Sequence, residues 1–247
     1  MRRATRALLL LLALVVAARP AAAQRVTKEP PARAARSGGT RGGASRRCRL
    51  DTASAWYRGQ RAWADESRHD WSDEPLRAAL LRAAGVDPAA GDALPGFEVV
   101  GQFGGQPGAL PAGADSAERA RMLDTLRALA RNRQARWPTR SVVGASGVRA
   151  VWLLVAADSA LSRTALHRMM EAGPDESPPA AVATLEDRLR VAAGRKQIYG
   201  TQFVLAPDGT PQLAPLEDPP HVDLRRDGAG LPPLAASVCA ARAPPRR

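Results

Sequence analysis

The chain of 247 residues holds two cysteines, three histidines and, among its 36 basic residues, only two lysines. Cys48 and Cys239 stand near opposite ends, and His69, His167 and His221 are scattered. No C-x-x-C or H-x-x-x-H spacing therefore offers a metal its ligands, and neither metal nor cofactor is expected. Standard catalytic motifs are missing as well. At 144–148 the sequence Gly-Ala-Ser-Gly-Val has Val148 where a nucleophile elbow needs its last glycine, so Ser146 reads as a small packing residue. Residues 101–108 lack the Gly-Lys-Ser/Thr ending of a phosphate loop and read as a turn. Glu186-Asp187 and Glu217-Asp218 are neighbours in sequence, and adjacent positions on a helix do not face one another as an acid/base pair would. His167, on the helix of Met169 and Met170, reads as a surface or boundary residue and not as a general base.

Long apolar runs are also absent. The one apolar run near the start, residues 7–18, is too short to span a bilayer. It follows Arg2, Arg3 and Arg6 and leads to Ala21-Ala22-Ala23, the pattern of a signal peptide over residues 1–23, cleaved near Ala23 to leave Gln24 first and an extracytoplasmic protein. Residues 24–49, rich in Arg, Gly and Pro without apolar periodicity, read as a disordered linker able to touch anionic surfaces. The formal charge of +12 is concentrated in these two stretches: 24 basic and 23 acidic residues remain from Leu50 onward. A near-neutral folded part gives no support to a basic nucleic-acid groove, and no nucleic-acid partner is expected. In an oxidising compartment an even cysteine count favours pairing, so Cys48 and Cys239 are expected to be bridged.

Residues 50–240 are long enough for one domain with a real core. Trp56, Gln60, Trp63 and Ser67 recur at helical spacing, as do Leu76, Leu80 and Leu81 behind Ser72 or Asp73 as cap. A loop rich in Gly and Pro follows. Met122, Leu123, Leu126, Leu129 and Ala130 form one stripe. The stretch 141–158 is apolar nearly all round, as a buried helix demands, and Gly144 and Gly147 would let another helix approach. Leu161, Ala165, Leu166, Met169 and Met170 share a face; the next helix takes Ser177 as cap, Pro178 in its first turn, and Val182, Leu185 and Leu189 inward. Two short apolar runs around Pro207-Asp208-Gly209-Thr210 signal a hairpin. The expected fold is mainly α: a single helical domain of about five or six helices, a small C-terminal β-hairpin, an extended proline-rich arm, and a disordered tail over 241–247.

The order of four segments carries more. Arg-Trp-Pro-Thr-Arg-Ser-Val-Val-Gly at 136–144, the tryptophan-containing run 150–158 ending in Asp158, the stretch 185–203 with Gln-Ile-Tyr-Gly-Thr-Gln, and 215–234 with Val-Asp-Leu-Arg-Arg resemble an uncharacterised bacterial family, a domain of unknown function. Its members read G-W-P-x-x-S-x-V-G, a helix ending Q-H-A-D, L-x-D-R, Q-x-Y-G-T-Q and V-D-x-R-R. The resemblance covers about residues 76–234 and implies a mainly helical domain with no assigned reaction. It matches Asp158, Asp187, Arg188, Gln197, Tyr199, Thr201, Gln202, Arg225 and Arg226. The family's Gln-His falls on Val155-Ala156, so its histidine is lost here, and of a D-Q-x-x-R motif only Asp87 remains, before Pro88 and Gly91.

Asp158, Asp187, Arg188, Gln197, Tyr199, Thr201 and Gln202 are thus the candidate pocket or structural motif, with Arg188 expected to pair with Asp158 or Asp187. Loss of the histidine, the usual proton carrier at neutral pH, favours a non-catalytic domain that binds a peptide, glycan or protein partner in a degenerate pocket. The alternative is a hydrolase-like or ligand-modifying enzyme using Asp158, Arg188, Tyr199 and Gln202.

Overall fold

Short polar side chains start four of the helices among the described residues. In the computed structural model, which describes residues 53–68, 70–88, 115–156 and 158–241, Ser54 accepts the Tyr57 amide to open α1 (Ala55–Trp63) and Asp73 accepts that of Leu76 to open α2 (Glu74–Ala83). Asp115 does the same for α3 (Ser116–Arg131) and Asp158 for α5 (Ser159–Ala172). All described residues belong to the larger of the chain's two units, Ser45–Arg247. The expected signal peptide and linker, Cys48, His69, the stretch 89–114 and the tail after Ala241 lie outside them.

α1 is shorter than the tryptophan spacing suggested. It stops at Trp63, and Ser67 falls in a turn where its amide donates to the Asp65 side chain. Leu80 and Leu81 of α2, Met122, Leu126 and Ala130 of α3, and Leu161, Ala165 and Met169 of α5 enter one apolar core. At its centre runs α4 (Arg140–Ala156), buried nearly all round. On α6 (Pro179–Ala192) Leu185 is fully buried, and Trp152 of α4 donates to the Ala181 carbonyl at 3.2 Å. Met170, expected inward, is 58% exposed because it lies a further 100° round from Met169.

α4 is buried as its sequence predicts but is not one continuous helix. Gly144 has φ 70° and ψ 173°, so the helix breaks there and restarts. A Cβ on Gly144 would lie 2.5 Å from Oε1 of Glu66 and 3.0 Å from the Trp71 ring. The glycine thus admits side chains from the segment before α2, not another helix. That segment also donates two amides to α4, Ser72 to the Ser141 carbonyl and Asp73 to that of Val142.

β1 (Phe203–Leu205) and β2 (Pro211–Leu213) form the expected antiparallel hairpin, with Phe203 opposite Leu213. The arm after it is not extended. Pro219–His221 is a 3-10 turn, followed by α7 (Val222–Gly228) and α8 (Leu234–Ala241), which make eight helices among the described residues rather than five or six. Pro219 and Pro220 open the turn, and Pro232 and Pro233 precede α8. A helix start has no use for the N–H that proline lacks, so these prolines punctuate helices instead of preventing them. The last helix also runs through Ala241, one residue past the expected end of the domain.

Candidate functional site

Asp187, on the inner face of α6, is completely buried, which demands hydrogen-bond donors. They come from the chain 11 to 14 residues on: the amides of Ile198 (2.7 Å), Tyr199 (3.1 Å) and Thr201 (3.0 Å), and the Thr201 hydroxyl (2.9 Å). The turn that presents them needs Gly200, whose φ of 70° disfavours any side chain and whose added Cβ would meet Leu234 at 2.9 Å. Gln197, also fully buried, donates to the carbonyls of Gln202 (3.0 Å) and Ala214 (2.7 Å) and accepts the Gln202 amide (2.8 Å). The Gln202 side chain donates to Thr201 Oγ1 at 3.0 Å and to the Thr184 carbonyl.

Arg226 of α7 closes the motif from the other side. It is 1% exposed and donates to the carbonyls of Tyr199 (2.7 Å), Gly200 (3.2 Å) and Pro232 (2.5 Å) and to the Ser237 hydroxyl (2.5 Å). Burial pulls its pKa down to about 10, still well above neutrality.

Asp187, Gln197, Thr201 and Gln202 are thereby brought together, with the Tyr199 backbone. Asp158 and Arg188 are not part of their hydrogen-bonded network. Asp158 caps α5 through the amides of Ala160 (3.0 Å) and Leu161 (2.9 Å) and pairs with Arg127. Burial works against its charge, but the Leu161 amide and the Arg127 guanidinium outweigh that and hold its pKa below the ordinary carboxylate value. The expected pairing of Arg188 with Asp158 or Asp187 does not occur, because Arg127 occupies the one and backbone amides fill the other. Arg188 makes no hydrogen bond or ion pair among the described residues, and partial burial lowers its pKa.

Ser146 is more than a packing residue. Its amide and hydroxyl donate to Glu66 at 2.7 and 2.8 Å, and Arg77 donates to its oxygen at 2.9 Å and to Glu66 at 3.1 Å. The Arg77 guanidinium also sits 4.6 Å from the Trp71 ring centroid. Glu66 thus caps the restarted part of α4. Glu176 caps the first part through the Ser141 amide and hydroxyl at 2.9 and 3.0 Å. The family resemblance takes in Ser141, Gly144 and Glu176, but nothing in the sequence points to Glu66.

Beside the motif lie two adjoining hollows. The first, about 350 Å³, is lined by Trp56 and Gln60 of α1, Pro178 and Pro179, and Asp227 and Gly230 at the end of α7. The second, about 290 Å³, is lined by Met169, Met170, Pro174, Ser177, Tyr199 and Arg225. They share Pro179, Gly228 and Ala229 and so form one furrow. Ser177, expected to cap α6, does not: Pro178 takes that position, and the Ser177 hydroxyl is buried with no hydrogen-bond partner among the described residues. Gln60 donates to the Gly230 carbonyl at 2.6 Å, leaving its Oε1 buried and without a partner among the described residues. Tyr199 packs against Ala180, Ala183, Ala229 and Leu231, and its hydroxyl makes no hydrogen bond among the described residues. Burial, reinforced by Glu186 and Asp187, pushes that hydroxyl's pKa up, so it is a donor at neutral pH. No histidine lines either hollow among the described residues.

The model of a family of unknown function (DUF6624) matches residues 111–241. The chain belongs to that family. The DUF6624 match takes in α3 through α8 and the hairpin, including Asp187, Arg226 and Tyr199, and leaves α1 and α2 outside. The first hollow is therefore built from both: the α6 and α7 residues lie within the DUF6624 span, and Trp56 and Gln60 precede it. No curated protein and no solved structure matches the chain. Among the described residues no helix is long and apolar enough to cross a membrane, and no group of three or more His, Cys, Asp or Glu is placed to hold a metal ion.

Proposed function

We propose that this DUF6624 member is an exported, non-catalytic binding domain whose partner, a peptide, glycan or protein, docks in the furrow between α1, α6 and α7. One contrast carries the reading. The side chains of Gln197, Thr201 and Gln202 are satisfied by one another, by Asp187 and by the backbone, whereas Ser177, Gln60 and the Tyr199 hydroxyl keep unused hydrogen-bonding capacity. A buried polar group left unpaired costs roughly 1–3 kcal/mol, which a complementary partner would recover. The enzyme alternative would need Asp158, Arg188, Tyr199 and Gln202 to act jointly, yet Asp158 is committed to α5 and Arg127, and Gln202 to the motif.

Export rests on the signal-like residues 1–23, and with it comes a proposed Cys48–Cys239 bridge; Cys239 lies on α8, and Cys48 is outside the described residues. N-terminal sequencing of the fractionated protein should read from Gln24, and an intact Met1 in the cytosol would contradict export. Binding is tested by thermal shift of the mature chain against peptide and oligosaccharide libraries, with Met170→Glu as control. A ligand class should raise the Tm of the native protein and not that of the variant. Turnover of generic ester, peptide or glycoside substrates, lost on substitution of Arg188, would favour the enzyme.

A further inference from the structure

We propose that the furrow takes an extended, proline-containing peptide segment that carries arginine or lysine. The inference rests on the furrow being the binding site and goes on to its chemistry. A proline-rich segment in the polyproline II conformation has unpaired carbonyls, few N–H groups, and rings that pack against aromatic and apolar walls. Its complement is a groove of apolar surfaces set with donors. Trp56 and Tyr199 supply aromatic walls, and Pro174, Pro179 and the exposed Met170 continue them. The donors are the Trp56 indole N–H, the Tyr199 hydroxyl and the buried Ser177 hydroxyl, none of which has a hydrogen-bond acceptor among the described residues.

The call for a basic residue comes from the first hollow. Asp227 lines it, exposed and in no ion pair among the described residues, and Gln60 contributes its unpartnered Oε1. Two acceptors, one of them charged, suit a guanidinium or ammonium group. The cation in the second hollow does not counter this, because Arg225 is already bound to Asp218 at 3.1 Å and to the Ile198 carbonyl at 3.0 Å.

The test is fluorescence anisotropy of a labelled probe peptide, Ala-Arg-Pro-Pro-Ala-Pro-Arg-Ala, titrated with the mature chain. Saturable binding is expected, weakened about 3-fold by Asp227→Asn, the range of an exposed ion pair, and about 10-fold or more by Trp56→Ala, as for an aromatic anchor. Trp56→Phe keeps an aromatic face at this position while removing the N–H together with the pyrrole half of the indole, so a folded variant with reduced affinity is available should the alanine substitution disturb α1. Replacing the probe's arginines by glutamine should match Asp227→Asn and add nothing to it. Binding untouched by all three variants would overturn the proposal. So would failure of the probe while another ligand still stabilises the native protein but not Met170→Glu; that result leaves the furrow a binding site and rejects this occupant. Self-association abolished by Met170→Glu would assign the furrow to a second copy, again against the proposal.

Discussion

Asp187 and Arg226 hold the same turn from opposite ends of its peptide dipoles. The carboxylate takes the amides of Tyr199 and Thr201, and the guanidinium takes the carbonyls of Tyr199 and Gly200. Each buried charge is answered by the backbone between them, without direct contact of the kind that forms a salt bridge. The peptide groups are polarised in one sense by both, so the two side chains support one another through the chain they grip.

Removing either should therefore be costly. Asp187→Ala leaves several buried amides without an acceptor, and Arg226→Ala leaves buried carbonyls without a donor. Each is expected to lower the unfolding free energy by about 3 kcal/mol. Urea denaturation followed by circular dichroism measures it. The two losses should not add in the double variant, since each first change already releases the turn.

Within the motif, Gln197 and Tyr199 should behave oppositely. Gln197→Ala strands two buried backbone groups, the Gln202 amide and the Ala214 carbonyl, and takes one of two donors from the Gln202 carbonyl, which keeps the Ala214 amide; it should cost about 3 kcal/mol. Tyr199→Phe removes a hydroxyl that bonds nothing among the described residues, so stability should stay within about 0.5 kcal/mol while affinity for a furrow ligand falls. Thermal melts with and without ligand separate the two effects.

Gly144→Ala should destabilise by about 3 kcal/mol, because φ 70° with ψ 173° is open essentially to glycine alone and the new methyl would collide with Glu66. Combining it with Glu66→Ala should cost less than the two changes separately. A double-mutant cycle read by calorimetry decides this.

Acid should act on the carboxylate caps. Asp158 and Glu176 both have folded pKa values below the ordinary ones: burial opposes their charge, but the Leu161 amide and Arg127 outweigh it at Asp158, and the Ser141 amide with the Thr139 and Ser141 hydroxyls at Glu176. Their contribution is complete above the unfolded values, near pH 4, and is lost as the pH falls through the folded ones. Asp158→Asn and Glu176→Gln should each flatten the fall in stability below about pH 4, measured by chemical denaturation across pH.

The helices of the core were legible wherever packing follows local periodicity. Leu80, Leu126 and Leu161 sit where the spacing put them, and the Asp-Gly turn marked the hairpin. The prolines after residue 218 misled because their effect depends on where a helix begins. Gly144 misled because its partner, Glu66, is 78 residues away in sequence and no local pattern announces it. For the motif, family likeness marked the residues, but only the position of Asp187 under the turn reveals that most of them serve the backbone. Arg188 pairs with neither aspartate because Arg127, from α3, reaches Asp158 and backbone amides fill Asp187, and neither contact leaves a local pattern in the sequence.

Glu176 lies between Pro174 and Ser177, both of which line the furrow, and it is fastened to α4 by Ser141 while its own carbonyl receives the Arg140 amide. The Trp63 indole binds the Pro174 carbonyl, and Arg140 binds that of Trp63. One wall of the furrow is thus moored to the buried central helix by a carboxylate that acid can neutralise. By thermodynamic reciprocity, a ligand that requires this wall in place must make Glu176 harder to protonate, and binding in the acid range should be accompanied by proton release.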